Sequence, residues 1–395
     1  MLNKTNFVSK KNYYFILIVH NFIKPFFYLS KLFRLQNKLL PNKILFIELG
    51  HLGDMLTSIN AIEIAKKKLP QHKVICICTA SGAAALENNP NINEVVIIDT
   101  PHWYENDKRK NTGELIRSFF KFIKVVKKTH ATIAVNFRNT SYHLDHIAIW
   151  CSGIVKSIGF GHKGLDYLLS YAYIPKKEEV VIPLQKIAFI NSWFQIPVSD
   201  KFENRPSFFP DSFQQNASNL LLQSKGINLN ERFITVNVAA QHNFWWPHKS
   251  FIELCNLIHK GYPNFKVLFI GQKQHIEPVK HIMKQLGFTS YSVVGETDLS
   301  MLYFILKKAA LLVTIDTGVR HIANAAGIPV IVLRHGADGH KAFGKYIASE
   351  ELLVHAVSCS PCGQKKCPLG TVDCMSGITV DAVFNQLKNI LDYTS

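Results

Sequence analysis

The chain has 395 residues, 47% of them hydrophobic, and a formal charge of +17 from 45 Lys and Arg against 28 Asp and Glu. That length exceeds one ordinary core and argues for two domains. Eight of the positive charges lie in the first 43 residues, which hold no Asp or Glu; the rest is mildly basic, carries no nucleic-acid module, and excludes nucleic acid as a partner.

Residues 1–41 read as a basic, hydrophobic leader. Apolar runs at 13–19, 26–29 and 32–33 are broken by His20, Asn21 and Lys24-Pro25. No uncharged run is long enough to span a bilayer, and no small-residue cleavage site marks a signal peptide. A basic, aromatic, amphipathic segment fits an anionic membrane surface; the alternative is a cap over a hydrophobic groove of the chain's own domain. The expected location is cytoplasmic, peripheral on the inner face of the cytoplasmic membrane.

Beyond the leader, short β-branched runs alternate with longer amphipathic ones, which predicts an α/β fold with parallel sheets covered by helices. Strands are expected at 44–49, 74–78, 95–98 and 132–135 in the first half. Met55, Ile59 and Ile62 recur at helical spacing, and Lys66 to Lys68 lie at the negative end of that helix. Cys76, Cys78, Cys151 and Cys255 sit in apolar runs and read as inert core thiols. Prolines and a charge cluster place the hinge within 175–210. The second half predicts strands at 233–238, 267–270, 292–294, 311–314 and 330–333, and a closing helix from Val383, Leu387, Ile390 and Leu391. The domains expected are 42–205 and 206–395, both Rossmann-like.

Two loops carry chemistry. Glu48-Leu49-Gly50-His51-Leu52-Gly53-Asp54 follows a strand and opens a helix. Gly50 and Gly53 allow a tight turn and close approach to a ligand. Asp54 there is either an N-cap or a carboxylate that accepts a proton from a hydroxyl nucleophile. The Gly-Lys-Ser/Thr ending of a P-loop is missing. The second loop, Asp316-Thr317-Gly318 running into a helix with His321 one turn on, offers backbone N–H groups to a phosphate. Asp316, acceptor-only when ionised, suits a sugar hydroxyl; His321 is a ligand contact or a satisfied core histidine. That combination fits a sugar nucleotide. Farther on, Cys359, Cys362, Cys367 and Cys374 cluster. In a reducing compartment they read as a thiolate site for structural Zn or Fe, or as a packed reduced loop.

Three stretches together carry a resemblance: Lys43 to Leu56, Val294 to Ser300, and Val313 to Pro329, with the Cys359 to Met375 loop as a fourth. Over about residues 43–392 the chain resembles glycosyltransferase family 9, the ADP-heptose lipopolysaccharide heptosyltransferases and their relatives. The resemblance implies a GT-B architecture, two Rossmann-like domains facing a central cleft. The N-terminal domain would take the acceptor and the C-terminal domain the nucleotide sugar. Transfer would invert the anomeric centre and require no cofactor. Asp54 matches the family's general base, and Asp316, Thr317, Gly318 and His321 its donor turn. One departure stands out: the family has a Lys before a Trp-Pro pair, and here Phe244 precedes Trp245-Trp246-Pro247. A neutral ring cannot neutralise a diphosphate. Lys249, His242, Arg320 or Arg334 are the candidate substitutes, and the loop from Arg334 to His340 is a further phosphate contact. The tryptophans stack on a sugar or base, or pack in the core.

The expected reaction is inverting transfer of a heptose from ADP-heptose to a lipopolysaccharide core or related surface glycan. Three alternatives stay open: a heptosyltransferase acting on a protein adhesin, a sugar-nucleotide epimerase, and an inactive glycan-binding descendant.

Overall fold

A computed structural model describes residues 21, 24–25, 42–99, 112–138, 144–161, 166–175, 181–196, 205–239, 244–336, 344–345, 347–364, 366–367 and 369–393. The leader, apart from three residues, lies outside them. Among the described residues no helix is long and apolar enough to cross a membrane. The chain divides into two compact units, Met1–Glu179 with Gln185–Phe202, and Val180–Leu184 with Glu203–Ser395.

The first unit is built on six parallel strands: β1 Lys43–Glu48, β2 Lys73–Cys78, β3 Glu94–Ile97, β4 Ile133–Asn136, β5 Lys156–Phe160 and β6 Tyr171–Tyr173. Their order is β3-β2-β1-β4-β5-β6. Ile44 of β1 is registered against Val74 on one side and Ile133 on the other. The strand order reverses at β1, and in such sheets the crevice at the carboxyl end of the reversal is where ligands bind. Helices α1 Leu52–Lys68, α2 Ala80–Leu86, α3 Thr112–Lys128 and α4 Leu144–Cys151 complete it, with most of α5 Ile182–Trp193.

Side chains alternate across β1. Leu45 and Ile47 enter a cluster with Ile75, Ile77, Phe122 and Val126. On the other face, Phe46 stacks on Phe137 at 5.6 Å, and Phe137 meets Phe189 of α5 edge-on at 6.2 Å. Glu48 shares that second face. Helix α1 is more buried than its pattern predicted, for Thr57, Ser58 and Asn60 are buried alongside Met55, Ile59 and Ile62. Lys66 donates from Nζ to the carbonyls of Pro70 and His72 at 3.0 and 2.8 Å, closing the helix end.

The second unit has the same plan: β7 Arg232–Asn237, β8 Phe265–Ile270, β9 Tyr291–Ser292, β10 Leu311–Ile315, β11 Val330–Arg334 and β12 Glu350–Val354. These strands run parallel in the order β12-β11-β10-β7-β8-β9. Its helices are α6 Phe213–Ser224, α7 His248–Gly261, α8 Ile276–Met283, α9 Leu299–Lys308, α10 Gly318–Ala326, α11 Asp373–Ser376 and α12 Val380–Tyr393. Helix α12 buries Val383, Leu387 and Leu391 in the main core, with Ile390 at its margin.

The expected strands are present to within a few residues. β5, β6 and β12 were not expected. β5 carries Ser157 and Gly159, β6 is three residues long, and β12 opens on two glutamates. None shows the apolar run of a central strand.

Phe189 is fully buried among Phe137, Phe160, Tyr171 and Tyr173. Phe189→Ala should cost the first unit about 3–5 kcal/mol, read as a lower denaturant midpoint; a change below 1 kcal/mol, on the order of an exposed substitution, would show that α5 is not anchored there.

Candidate functional site

The loop after β1 is held by its own carboxylates. Gly50 N–H donates to Glu48 Oε1 at 3.1 Å, and His51 N–H donates to Asp54 Oδ2 at 2.8 Å. His51 is the N-cap of α1 and Asp54 the third helical residue, so Asp54 is not itself the N-cap. Its carboxylate folds back over the turn. A Cβ at Gly50 would strike the Asp54 carboxylate, which explains the glycine; Gly53 is the second residue of α1 and half-buried. Thr79 anchors the loop from the β2 side, donating from Oγ1 to Gly50 O at 2.9 Å.

Asp54 is half-buried, and burial together with the Glu48 charge pushes its carboxyl above the usual range, against the pull of Lys186 and His51. Glu48 moves the other way. Burial works to raise it, but the Lys186 charge and hydrogen bonds from Lys186, Gly50 and Ser58 bring it below its ordinary value. Two neighbouring carboxyls whose affinities are pushed apart are a common arrangement for acid–base work.

Lys186 was not a candidate from sequence. Its Nζ lies 2.8 Å from Glu48 Oε2, and the two side chains are 1% and 7% exposed. Glu48 was inside the quoted loop with no role assigned. A charge ending a buried strand demands a partner, but that partner is 138 residues away, and pattern cannot name it.

In the second unit the Asp316 turn follows β10. Asp316 accepts from Arg320 Nη1 at 3.1 Å and from Arg334 Nη1 at 3.0 Å. Both arginines are buried, while Asp316 is 14% exposed. Arg320 also forks onto Glu350, Nε to Oε1 at 2.6 Å and Nη2 to Oε2 at 2.8 Å, and Asn324 donates to the same carboxylate. Asn237, at the end of β7, donates to Thr314 Oγ1 at 2.9 Å and Thr317 Oγ1 at 3.3 Å. Thr317 is the N-cap of α10 and Gly318 its first residue, so their half-buried backbone sits at the positive end of the helix. His321 is buried. Gly327 ends α10 at φ 84°, which a β-carbon would strain. The structure thus gathers Asp316, Thr317, Gly318 and His321, and adds Asn237 and Glu350, which the sequence did not single out.

Phe244 is buried and stacks on His335 at 4.6 Å. The tryptophans split. Trp246 is in the core, its Nε1 donating to Ile378 O at 2.9 Å, while Trp245 is 37% exposed. Lys249 is exposed at the second position of α7. His242 and residues 337–340 lie outside the described residues. Of the candidate cations, Arg320 and Arg334 are spent on carboxylates and Lys249 is open to solvent.

Cys359, Cys362, Cys367 and Cys374 line one cavity with Phe244, Gly336 and Ser360. Amide groups led by Val372 hold the Cys367 thiol below its usual range, against burial, with Leu369, Gly370 and Thr371 assisting; burial pushes Cys374 up. Thiolates are the right donors for Zn or Fe. Yet among the described residues no three His, Cys, Asp or Glu converge as a metal-ligand set. Of the other thiols, Cys76, Cys78 and Cys255 are buried and Cys151 is half-buried; burial pushes Cys78 and Cys255 up to about 12, the thiol form of inert residues.

Removing Asp316 takes a carboxylate from two buried guanidinium groups, of which Arg320 keeps Glu350. Asp316→Ala should therefore destabilise the second unit by about 3–5 kcal/mol, seen in chemical denaturation. An unchanged midpoint would show that the arginines do not depend on it.

A family model, glycosyltransferase family 9 (heptosyltransferase), matches residues 195–373. The lipopolysaccharide core heptosyltransferase OpsX of Haemophilus influenzae is 32% identical over 90 residues, which is 22% of this chain and 25% of that protein. The chain thus matches about a quarter of the length of this curated relative. Among solved structures, a glycosyl transferase of family 9 from Veillonella parvula superposes with a TM-score of 0.73 at 18% identity, covering 90% of this chain and 98% of the other. The ADP-heptose LPS heptosyltransferase II of E. coli gives a TM-score of 0.66 at 16% identity, over 89% and 100%. The likeness of the two α/β units to these structures establishes the fold, and the family likeness is carried by residues 195–373.

Proposed function

We propose that this protein is an inverting glycosyltransferase that moves a heptose from ADP-heptose to a lipopolysaccharide core or related surface-glycan acceptor. The observation that carries the reading is Asp54. It sits on a glycine-shaped turn at the carboxyl end of β1, with its proton affinity raised by burial and by Glu48. A sugar hydroxyl is a poor nucleophile, and a carboxylate with raised affinity is a better proton acceptor for it. The donor belongs to the second unit. The N–H groups of Thr317 and Gly318 at the start of α10 would meet the diphosphate, and the leaving nucleoside diphosphate gains negative charge that a helix N-terminus stabilises. Asp316 would accept from a sugar hydroxyl with the lone pairs its arginines leave, and His321 and Lys249 complete the donor-side set. Acceptor binding belongs to the first unit. The relatives' names, lipopolysaccharide core heptosyltransferase and ADP-heptose heptosyltransferase, support the choice of donor and acceptor. A lipid-linked acceptor agrees with a basic leader held peripherally at the inner face of the cytoplasmic membrane.

Asp54→Asn should lower kcat by about 10²–10⁴-fold while calorimetry still detects nucleotide-sugar binding. Retained turnover would remove the base. The sign of the pH effect follows from the raised carboxyl. The base is competent only when ionised, so kcat should be full above the Asp54 pKa and fall as pH drops through it. That acid limb is expected above the usual carboxylate range; a limb at or below that range would contradict the assignment.

The transfer itself calls for no cofactor. A Zn or Fe held by Cys359, Cys362, Cys367 and Cys374 is the second part of the reading. It rests on four thiols lining one cavity, one of them biased toward thiolate, and it requires them to draw together around the ion. Metal analysis of the purified protein should give about one ion per chain, and a folded, metal-free protein would end this part.

A further inference from the structure

Lys186 is a buried cation that the proposed reaction does not use. It projects from α5 three and four positions before Phe189 and Ile190, on the same helical face, and all three are buried. Its ammonium sits against the first turn of α1. It donates to Asp54 O at 2.7 Å, to Glu48 Oε2 at 2.8 Å and to Ser58 Oγ at 2.8 Å, with Thr57 Oγ1 farther at 3.3 Å. The Ser58 and Thr57 hydroxyls themselves donate to Asp54 O at 2.8 and 2.9 Å. The backbone of the proposed base is thus pinned from a segment 132 residues downstream.

A cation at this end of a helix opposes the dipole, so structure alone does not favour it. It is neutralised by Glu48, whose second oxygen holds the Gly50 N–H. The charged groups acting on Asp54 are Glu48 from β1, Lys186 from α5 and His51 from the loop. Glu48 favours the protonated form of Asp54, and Lys186 favours the ionised form.

We propose that Lys186 and Glu48 are a positioning pair that fixes the Asp54 turn and sets opposed charges beside its carboxylate. The proposal rests on the reading of Asp54 as the base, in that its catalytic consequence needs that reading. Neither residue is given a part in holding substrate. The pair acts on Asp54 with opposite signs, so removing its members one at a time separates this effect from a purely structural one.

The test is titration of the Asp54 carboxyl by carbon NMR in the labelled full-length protein, alongside the pH profile of kcat. Glu48→Gln should move the Asp54 titration down, because the repelling charge goes and the ammonium remains. Adding Lys186→Met to that variant should move it back up, because the attraction then goes too. In Lys186→Met alone, the two carboxyls should hold their protons to higher pH as a pair. If Glu48→Gln leaves the titration in place or moves it up, or if the double variant titrates no higher than Glu48→Gln, the proposal is overturned. Should Lys186→Met fail to fold, the direction of the Glu48→Gln shift decides alone. If the NMR titrations move as expected while the acid limb of kcat does not follow, the reading of Asp54 as the base fails and the positioning pair stands.

Discussion

The Lys186–Glu48 pair is the interaction on which the first unit's loop depends. An ammonium taken out of water carries a desolvation penalty of several kcal/mol, and its partner carries another. Coulomb attraction repays that only when the remaining protons and lone pairs are satisfied. Here they are: the ammonium meets a carboxylate, a helix carbonyl and a hydroxyl, and the carboxylate also takes a backbone N–H. The result ties a strand end, a turn, the start of one helix and the middle of another into a single polar knot. Packed hydrophobic residues at both 48 and 186 would be as stable in principle. What they could not supply is a fixed charge beside Asp54.

The second unit solves a similar problem with the same polarity. There the turn carries the carboxylate, and the buried groups around it are guanidinium ions. Arg320 is shared between Asp316 and Glu350, and Arg334 holds the other oxygen of Asp316. Asp316 is therefore a structural counter-ion as well as a candidate ligand group. Loss of donor affinity on its removal would report the collapse of that cluster as much as a lost hydroxyl contact, so stability has to be measured beside affinity. Phe244 fits the same picture. A lysine at that site would project a cation; the phenyl ring instead joins the core and stacks on His335.

Much of this was legible in the sequence, because it is local. Central parallel strands are buried on both faces, so β1, β2, β7, β10 and β11 show as unbroken apolar runs. Glycines where backbone and carboxylate approach closely mark the Asp54 turn, and the Thr-Gly start and Gly-Pro end mark α10. Strands without such a run were illegible for the same physical reason. β6 and β12 each lie at one edge of their sheets, where half-exposed residues such as Glu351 satisfy water as well as core; β3 and β9, at the opposite edges, were expected. The long-range polar partners were illegible too. Nothing near Lys186 in the sequence Gln185-Lys186-Ile187 distinguishes it from any lysine on a helix. Its burial is decided by where α5 packs, through Phe189 and its ring neighbours, and that is a property of the fold.

The aromatic cluster and the buried ammonium are consequently one device. Positions 186 and 189 are one helical turn apart, so the rings that seat Phe189 also set the depth and rotation of Lys186. A shift of α5 along its axis by even part of a turn would carry the ammonium away from Asp54 O while leaving Glu48 with an unpaired charge in the core. The apolar packing of β4, β5 and β6 against α5 therefore reaches the proton affinity of a carboxylate it does not touch. That gives the far edge of the first sheet a part in the chemistry assigned to the end of its central strand.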